Sequence, residues 1–315
     1  MTIAKALDIA YVAYRHADPG QQDAFLADFG LVALDVRGGE RRYRGTSGKS
    51  FCYVMETCKP AEEQAFTGFA LEVGSEDDLL RAAASPWATS GVEPLCLAGK
   101  GAKVSLNDPD GRRVDLVCRL APAESLPHPE PFVFNHFRKK SRLGETQRTA
   151  SGPSPIHRLG HVALLSRAVR PAVDWYRDVL GMLISDALVE DGERLVGAFL
   201  RCDRGEEWTD HHTVAIFETE ADSLIHHASF EVTDLDALAA GQRWLNRRGW
   251  TAEWGLGRHV AGSQIFDYWR DAGGFMLEHF ADGDVFTSSK PAEYHPASPD
   301  MLYQWGPDVP ASWLP

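Results

Sequence analysis

The stretch GRHVAGSQIFDYWRDAGGFMLEHFADGD, residues 257–284, places His259, Tyr268 and Glu278 nine and ten residues apart. SQIFDYW and FMLEHF read as short β-strands rich in aromatic and apolar residues. RDAGG between them reads as a turn, with Gly273 and Gly274 free to take positive φ. Alternation along FMLEHF puts Phe275, Leu277 and His279 on one face and Met276, Glu278 and Phe280 on the other. A carboxylate between two large apolar side chains is costly to bury unless it is paired or binds a metal. Arg270 is one available partner; a metal is the other.

The elements that carry these residues belong to a repeat. IAYVAYRHADPGQQDAFLADFGL (9–31) matches LGHVALLSRAVRPAVDWYRDVLGM (159–182): an apolar strand, an amphipathic helix and a glycine at the helix end. In the second copy Val169, Ala172, Val173, Tyr176, Val179 and Leu180 follow helical spacing, and Gly181 suits the left-handed position after the helix. GFALEVGSEDDLLRAA (68–83) matches HASFEVTDLDALAAGQ (227–242), and NDPDGRRVDLV (107–117) matches RDAGGFMLEHF (270–280). The chain therefore reads as four strand–helix–strands modules, two on each side of a proline- and serine-rich segment. His161, His227 and Glu278 in the second half align with Tyr11, Gly68 and Asp115 in the first.

Two histidines and a carboxylate from three strands suggest the facial triad of a non-heme Fe(II) enzyme, with open positions for substrate and O2. Each residue alone has a plain structural reading. A histidine in LGHVALL is commonly a satisfied core residue. Alternation sends His226 and His227 to opposite faces, and adjacent histidines such as His211 and His212 are often surface residues. The weight lies in three ligand-type residues at equivalent strand positions of one half.

GHVALL…WYRDVLGM, HHTVAIF, IHHASFEV, LGRH…Y and LEHF.DGD, in this order, resemble the type I extradiol ring-cleaving dioxygenases of the vicinal-oxygen-chelate superfamily. The resemblance covers residues 159–283 closely and residues 5–120 in architecture. It implies an α+β fold of four βαβββ modules paired into two vicinal-oxygen-chelate domains. It implies metal ligands His161, His227 and Glu278, and His212, fifteen residues before His227, as the acid/base. It also implies His259 and Tyr268 as contacts to the substrate oxygens. The metal would be Fe(II); Mn(II) accepts the same ligands. The substrates would be O2 and an aromatic diol, and such relatives are usually homo-oligomers. VAG (260–262) stands where relatives acting on biphenyl-type diols carry polar residues, which argues against such a substrate. HVAGSQIFDYW also resembles members acting on more heavily hydroxylated rings, such as a trihydroxytoluene oxygenase.

The expected organisation is a module pair without a metal site over 1–120, a linker over 121–156, a catalytic module pair over 157–285 and a tail over 286–315. That tail covers either the site mouth or an interface between copies, or simply hugs the surface. The net charge of −13 speaks against a nucleic-acid partner, and FRKKSR (137–142) reads as a solvated loop. No apolar run is long enough to span a membrane and no secretory signal is visible. Five cysteines without CxxC spacing point to reduced thiols and a cytoplasmic location. Three rivals share the fold: a metal-dependent isomerase, whose ligands come from both halves; a 2-oxoacid dioxygenase; and a ligand-sequestering protein without the triad.

Overall fold

The structure, a computed structural model, describes residues 2–34, 40–59, 62–95, 101–221 and 225–314. Cys96 lies outside them. Among the described residues Cys52, Cys118 and Cys202 are buried free thiols, and Cys58 is half-buried and also free. No helix among them is long and apolar enough to cross a membrane.

The first half runs β1 (Ala6–His16), α1 (Pro19–Phe29), β2 (Val32–Ala33), β3 (Glu40–Arg44), β4 (Tyr53–Thr57), β5 (Ala65–Val73), α2 (Glu76–Ala83), β6 (Glu93–Pro94), β7 (Ala102–Asn107) and β8 (Arg113–Cys118). These strands form one sheet in the order β2-β3-β4-β1-β5-β8-β7-β6. The second half repeats it with β9 (Arg158–Ser166), α3 (Val169–Leu180), β10 (Leu183–Glu190), β11 (Arg194–Arg201), β12 (Thr209–Asp210), β13 (Val214–Glu218), β14 (Ile225–Glu231), α4 (Leu235–Arg248), β15 (Thr251–Arg258), β16 (Ile265–Arg270) and β17 (Met276–Ala281). After it come β18 (Val285–Phe286) and β19 (Glu293–Pro296). The larger sheet runs β15-β16-β17-β14-β9-β13-β11-β10-β19, and β12 pairs with β18. The fold is therefore α+β, built from four copies of one module. Residues 121–157 carry neither helix nor strand, and most of FRKKSR is exposed.

The two sheets share one plan. The leading strands of paired modules, β1 with β5 and β9 with β14, run antiparallel at the centre. Each takes the last strand of its own module as a parallel neighbour. The helices pack on one face, where all six periodic residues of α3 are buried. Gly181 ends α3 at φ 68°, as its place after the helix demands. Asp234 caps α4 by accepting from the Ala237 amide.

The register sorts β17 as alternation requires. Leu277 joins the main core beneath the helices, and Met276 joins a separate cluster with Trp254, Phe266, Tyr268 and Trp313. His279 points toward the helices, where it stacks on Phe29 at 3.8 Å and donates Nε2–H to the Phe29 carbonyl at 2.7 Å. The β16–β17 turn departs from expectation in one residue. Gly274 takes a positive φ of 83°, but Gly273 does not. Gly273 is needed for room instead, because a Cβ there would lie 2.8 Å from His16 Nδ1.

Candidate metal centre

Three central strands of the second sheet deliver the triad. His161 on β9 and Glu278 on β17 flank the same residue of β14, Ser229. His227 lies two residues earlier on β14, on the same face. The side chains converge: His161 Nε2 and His227 Nε2 lie 3.2 and 3.4 Å from Glu278 Oε2, and 3.4 Å from each other. All three residues are buried, and Glu278 is completely so.

Glu278 is not paired with Arg270. That guanidinium reaches Glu253 at 2.6 Å. Neither carboxylate oxygen of Glu278 has a hydrogen-bond partner. A buried carboxylate with both oxygens unbonded, facing two imidazole nitrogens, is a donor set for a divalent cation. The three ligand atoms lie within 4.8 Å of one another, so the residues present fit such an ion.

His212, His227 and His259 are aimed by one recurring device, in which Nδ1 is tied to a neighbour and Nε2 is left to the site. A carbonyl or carboxylate can only accept, which places an N–H on the ring nitrogen that faces it. His226 donates Nε2–H to the Trp313 carbonyl at 2.5 Å. Burial keeps His226 neutral, its pKa lowered to about 3. Its Nδ1 therefore accepts from His227 Nδ1 at 2.7 Å, and the His227 Nε2 lone pair faces Glu278. His211 donates Nε2–H to Asp186 at 2.9 Å, and its Nδ1 meets His212 Nδ1 at 3.0 Å. Asp186 is held low despite partial burial, by His211 and then His295. His259 donates Nδ1–H to the Leu302 carbonyl at 2.7 Å, and its Nε2 accepts the Tyr268 hydroxyl at 2.8 Å. Burial lowers His259 to about 4 and raises Tyr268 well above its usual value, with Glu278 adding to the latter.

His212 packs against His161 with ring centroids 4.1 Å apart and the rings tilted by 50°, and burial, then His161 and His211, push its pKa well down. All six residues singled out in the sequence thus gather at one place. His161, His212, His227, His259 and Tyr268 line a cavity of about 430 Å³, within the range of small-molecule sites. Glu278 sits just behind them. The tail covers this mouth: Ala297, Pro299, Met301, Leu302, Trp313 and Leu314 line the same cavity.

Four participants carry no signal in the sequence. Asp186, His295 and the carbonyls of Leu302 and Trp313 orient the site from elements with no motif of their own. The pair HH at both 211–212 and 226–227 was the available signal: each time one histidine faces the site and its neighbour holds it.

At the equivalent positions of the first half the chemistry is gone. Tyr11 and Asp115 both flank Ala70, as His161 and Glu278 flank Ser229. The Tyr11 hydroxyl donates to Asp115 at 2.6 Å, and Ser105 donates to its other oxygen at 2.6 Å. Gly68, at the His227 position, has φ +135°, and a Cβ would lie 2.5 Å from the Arg113 carbonyl. No histidine fits there without moving the backbone. Phe51 stacks on Tyr11 where His212 packs against His161.

Residues 158–279 match the family described as the Glyoxalase/Bleomycin resistance protein/Dioxygenase superfamily. The chain is 32% identical over 310 residues to metapyrocatechase 2 of Cupriavidus necator, covering 96% of this chain and 89% of that one. Among solved structures it resembles a Mn(II)-bound glyoxalase from Novosphingobium aromaticivorans, with TM-score 0.80, 23% identity, and 99% and 95% of the two chains covered. It also resembles homoprotocatechuate 2,3-dioxygenase from Brevibacterium fuscum in complex with 3,4-dihydroxyphenylacetate, with TM-score 0.79, 16% identity, and 99% and 92% covered. The two structural likenesses concern the fold, while the 32% relative spans nearly the whole of both chains and so carries the family itself. The chain belongs to the glyoxalase/bleomycin resistance protein/dioxygenase superfamily, among its extradiol ring-cleaving dioxygenases.

Proposed function

We propose that this chain uses O2 to open a catechol-type ring beside its two hydroxyls, with His161, His227 and Glu278 holding Fe(II). The observation that carries the reading is Glu278: a wholly buried carboxylate, unbonded at both oxygens, with two histidine Nε2 atoms within 3.4 Å. A divalent cation in this donor set supplies Lewis acidity and a path for electrons between the diol and O2. Mn(II) suits the same donors.

The protein's own groups handle orientation and protons. Tyr268 and His259 form a donor–acceptor pair at the cavity wall, suited to binding one diol oxygen and taking its proton at His259 Nε2. His212 is kept neutral by burial, with Nδ1 committed to His211 and Nε2 left to the site, where it is suited to hold and return a proton. The apolar walls and the tail keep bulk water from the reacting groups.

An isomerase on this fold would draw ligands from both halves; here Asp115 is consumed by Tyr11 and Ser105. A 2-oxoacid dioxygenase would have no use for His212, His259 and Tyr268 in these places. A third hydroxyl on the ring could use Gln264, Ser298 or the indole N–H of Trp313, further uncharged polar groups lining the cavity.

The test is anaerobic reconstitution with Fe(II) or Mn(II), followed by oxygen uptake and visible spectra with catechols and trihydroxybenzenes. One O2 consumed per diol, a yellow product and no reaction in His227→Ala are expected. Bound metal without any O2 uptake would overturn the dioxygenase reading and favour the isomerase.

A further inference from the structure

We infer that the site selects uncharged, apolar-substituted catechols and turns away those carrying a carboxylate. This rests on the ring-cleavage reading above and adds the identity of the ring substituents. Beyond the groups placed at the diol, the cavity walls include Leu188, Val196, Phe199, Phe217, Met301 and Leu302. No lysine or arginine lines it among the described residues. The charged side chains there, the imidazoles aside, are Glu190 and Glu218, both at least partly exposed.

These two glutamates share one cation. Arg194, itself exposed, is ion-paired with both Glu190 and Glu218. Two carboxylates on one guanidinium leave the mouth with a net negative charge. Arg194 is thus already neutralised, and the whole chain carries −13. A carboxylate on the ring would be desolvated against leucine, phenylalanine and methionine with no counter-ion, which disfavours its binding. An alkyl group there is buried favourably. The Brevibacterium fuscum protein, crystallised with 3,4-dihydroxyphenylacetate, accommodates a substrate of the excluded kind on a similar fold.

The experiment compares 4-methylcatechol, unsubstituted catechol and 3,4-dihydroxyphenylacetate by kcat/KM, with the metal-loaded wild type and Glu190→Gln/Glu218→Gln. Anaerobic quenching of tryptophan fluorescence reads occupancy separately from turnover, since Trp313 lines the cavity. The expected result is at least a 100-fold preference for 4-methylcatechol over the acid. The double variant, which releases Arg194, should narrow the preference at least tenfold, chiefly through KM. Catechol cleaved with less than tenfold discrimination would overturn this inference and leave the ring-cleavage reading standing. Discrimination unchanged in the double variant would overturn the role given to the two glutamates. No diol cleaved or bound would overturn both readings.

Discussion

The Tyr11 hydroxyl donates to Asp115 at 2.6 Å, at the strand positions that His161 and Glu278 occupy in the second half. The repeat keeps the crossing of strands and exchanges an imidazole–carboxylate pair suited to a metal for a hydrogen-bonded one. Burial, then Asp115, raises the Tyr11 pKa well above its usual value, so the phenol stays a donor. Tyr11→Phe should therefore cost about 1–3 kcal/mol of stability, the loss of one buried hydrogen bond to a carboxylate. Metal content and turnover should remain at wild-type level. Chemical denaturation beside a metal assay checks this; a loss of metal would mean that the first half shares the site.

His226 holds the His227 tautomer through Nδ1, anchored on the Trp313 carbonyl. His226→Phe keeps a ring against Trp313 but removes the acceptor. Metal affinity should fall about 10–100-fold, the usual effect of losing a partner behind a histidine ligand. Titration against a metal buffer reads this directly, and wild-type affinity would show the tautomer to be set elsewhere.

His212 is the proton carrier in the proposed reaction. His212→Asn should lower kcat by about 10²–10⁴-fold, the usual share of a general acid/base. KM and metal stoichiometry should hardly move. A rise in KM at constant kcat would reassign His212 to substrate binding.

Asp267 is wholly buried behind the site, accepting from Trp269 Nε1 at 2.6 Å and Gln242 at 3.1 Å. Burial raises its pKa to about 8. A raised carboxyl binds its proton more tightly in the folded state. Its stabilisation is complete below the unfolded value near 4 and is lost as pH rises through about 8. Asp267→Asn, which cannot ionise, should gain on wild type across that window, by up to about 1.4 kcal/mol per pH unit, and the gap should level off above it. Melting temperatures from pH 5 to 9 test this; a constant gap would show Asp267 ionised throughout.

The module repeat, the helix ends and the six residues that the fold gathers around one cavity were legible in the sequence. Strand alternation and helical spacing are local rules, and ligand-type residues at matched strand positions survive the divergence of the two halves. Glu278 could be marked as needing a partner, because its apolar neighbours Met276 and Phe280 follow from alternation alone. What the sequence could not decide was the partner. Arg270 stood eight residues away and was plausible by charge; tertiary structure gave it Glu253 and left Glu278 to two histidines from other strands. The tail, open between lid, interface and surface, became a wall of the cavity and the source of two carbonyls that aim His259 and, through His226, His227. Backbone carbonyls carry no sequence signature, and contacts between residues nearly ninety positions apart obey no local periodicity. Chemistry can be read from residue types, but direction and partnership belong to the packed fold.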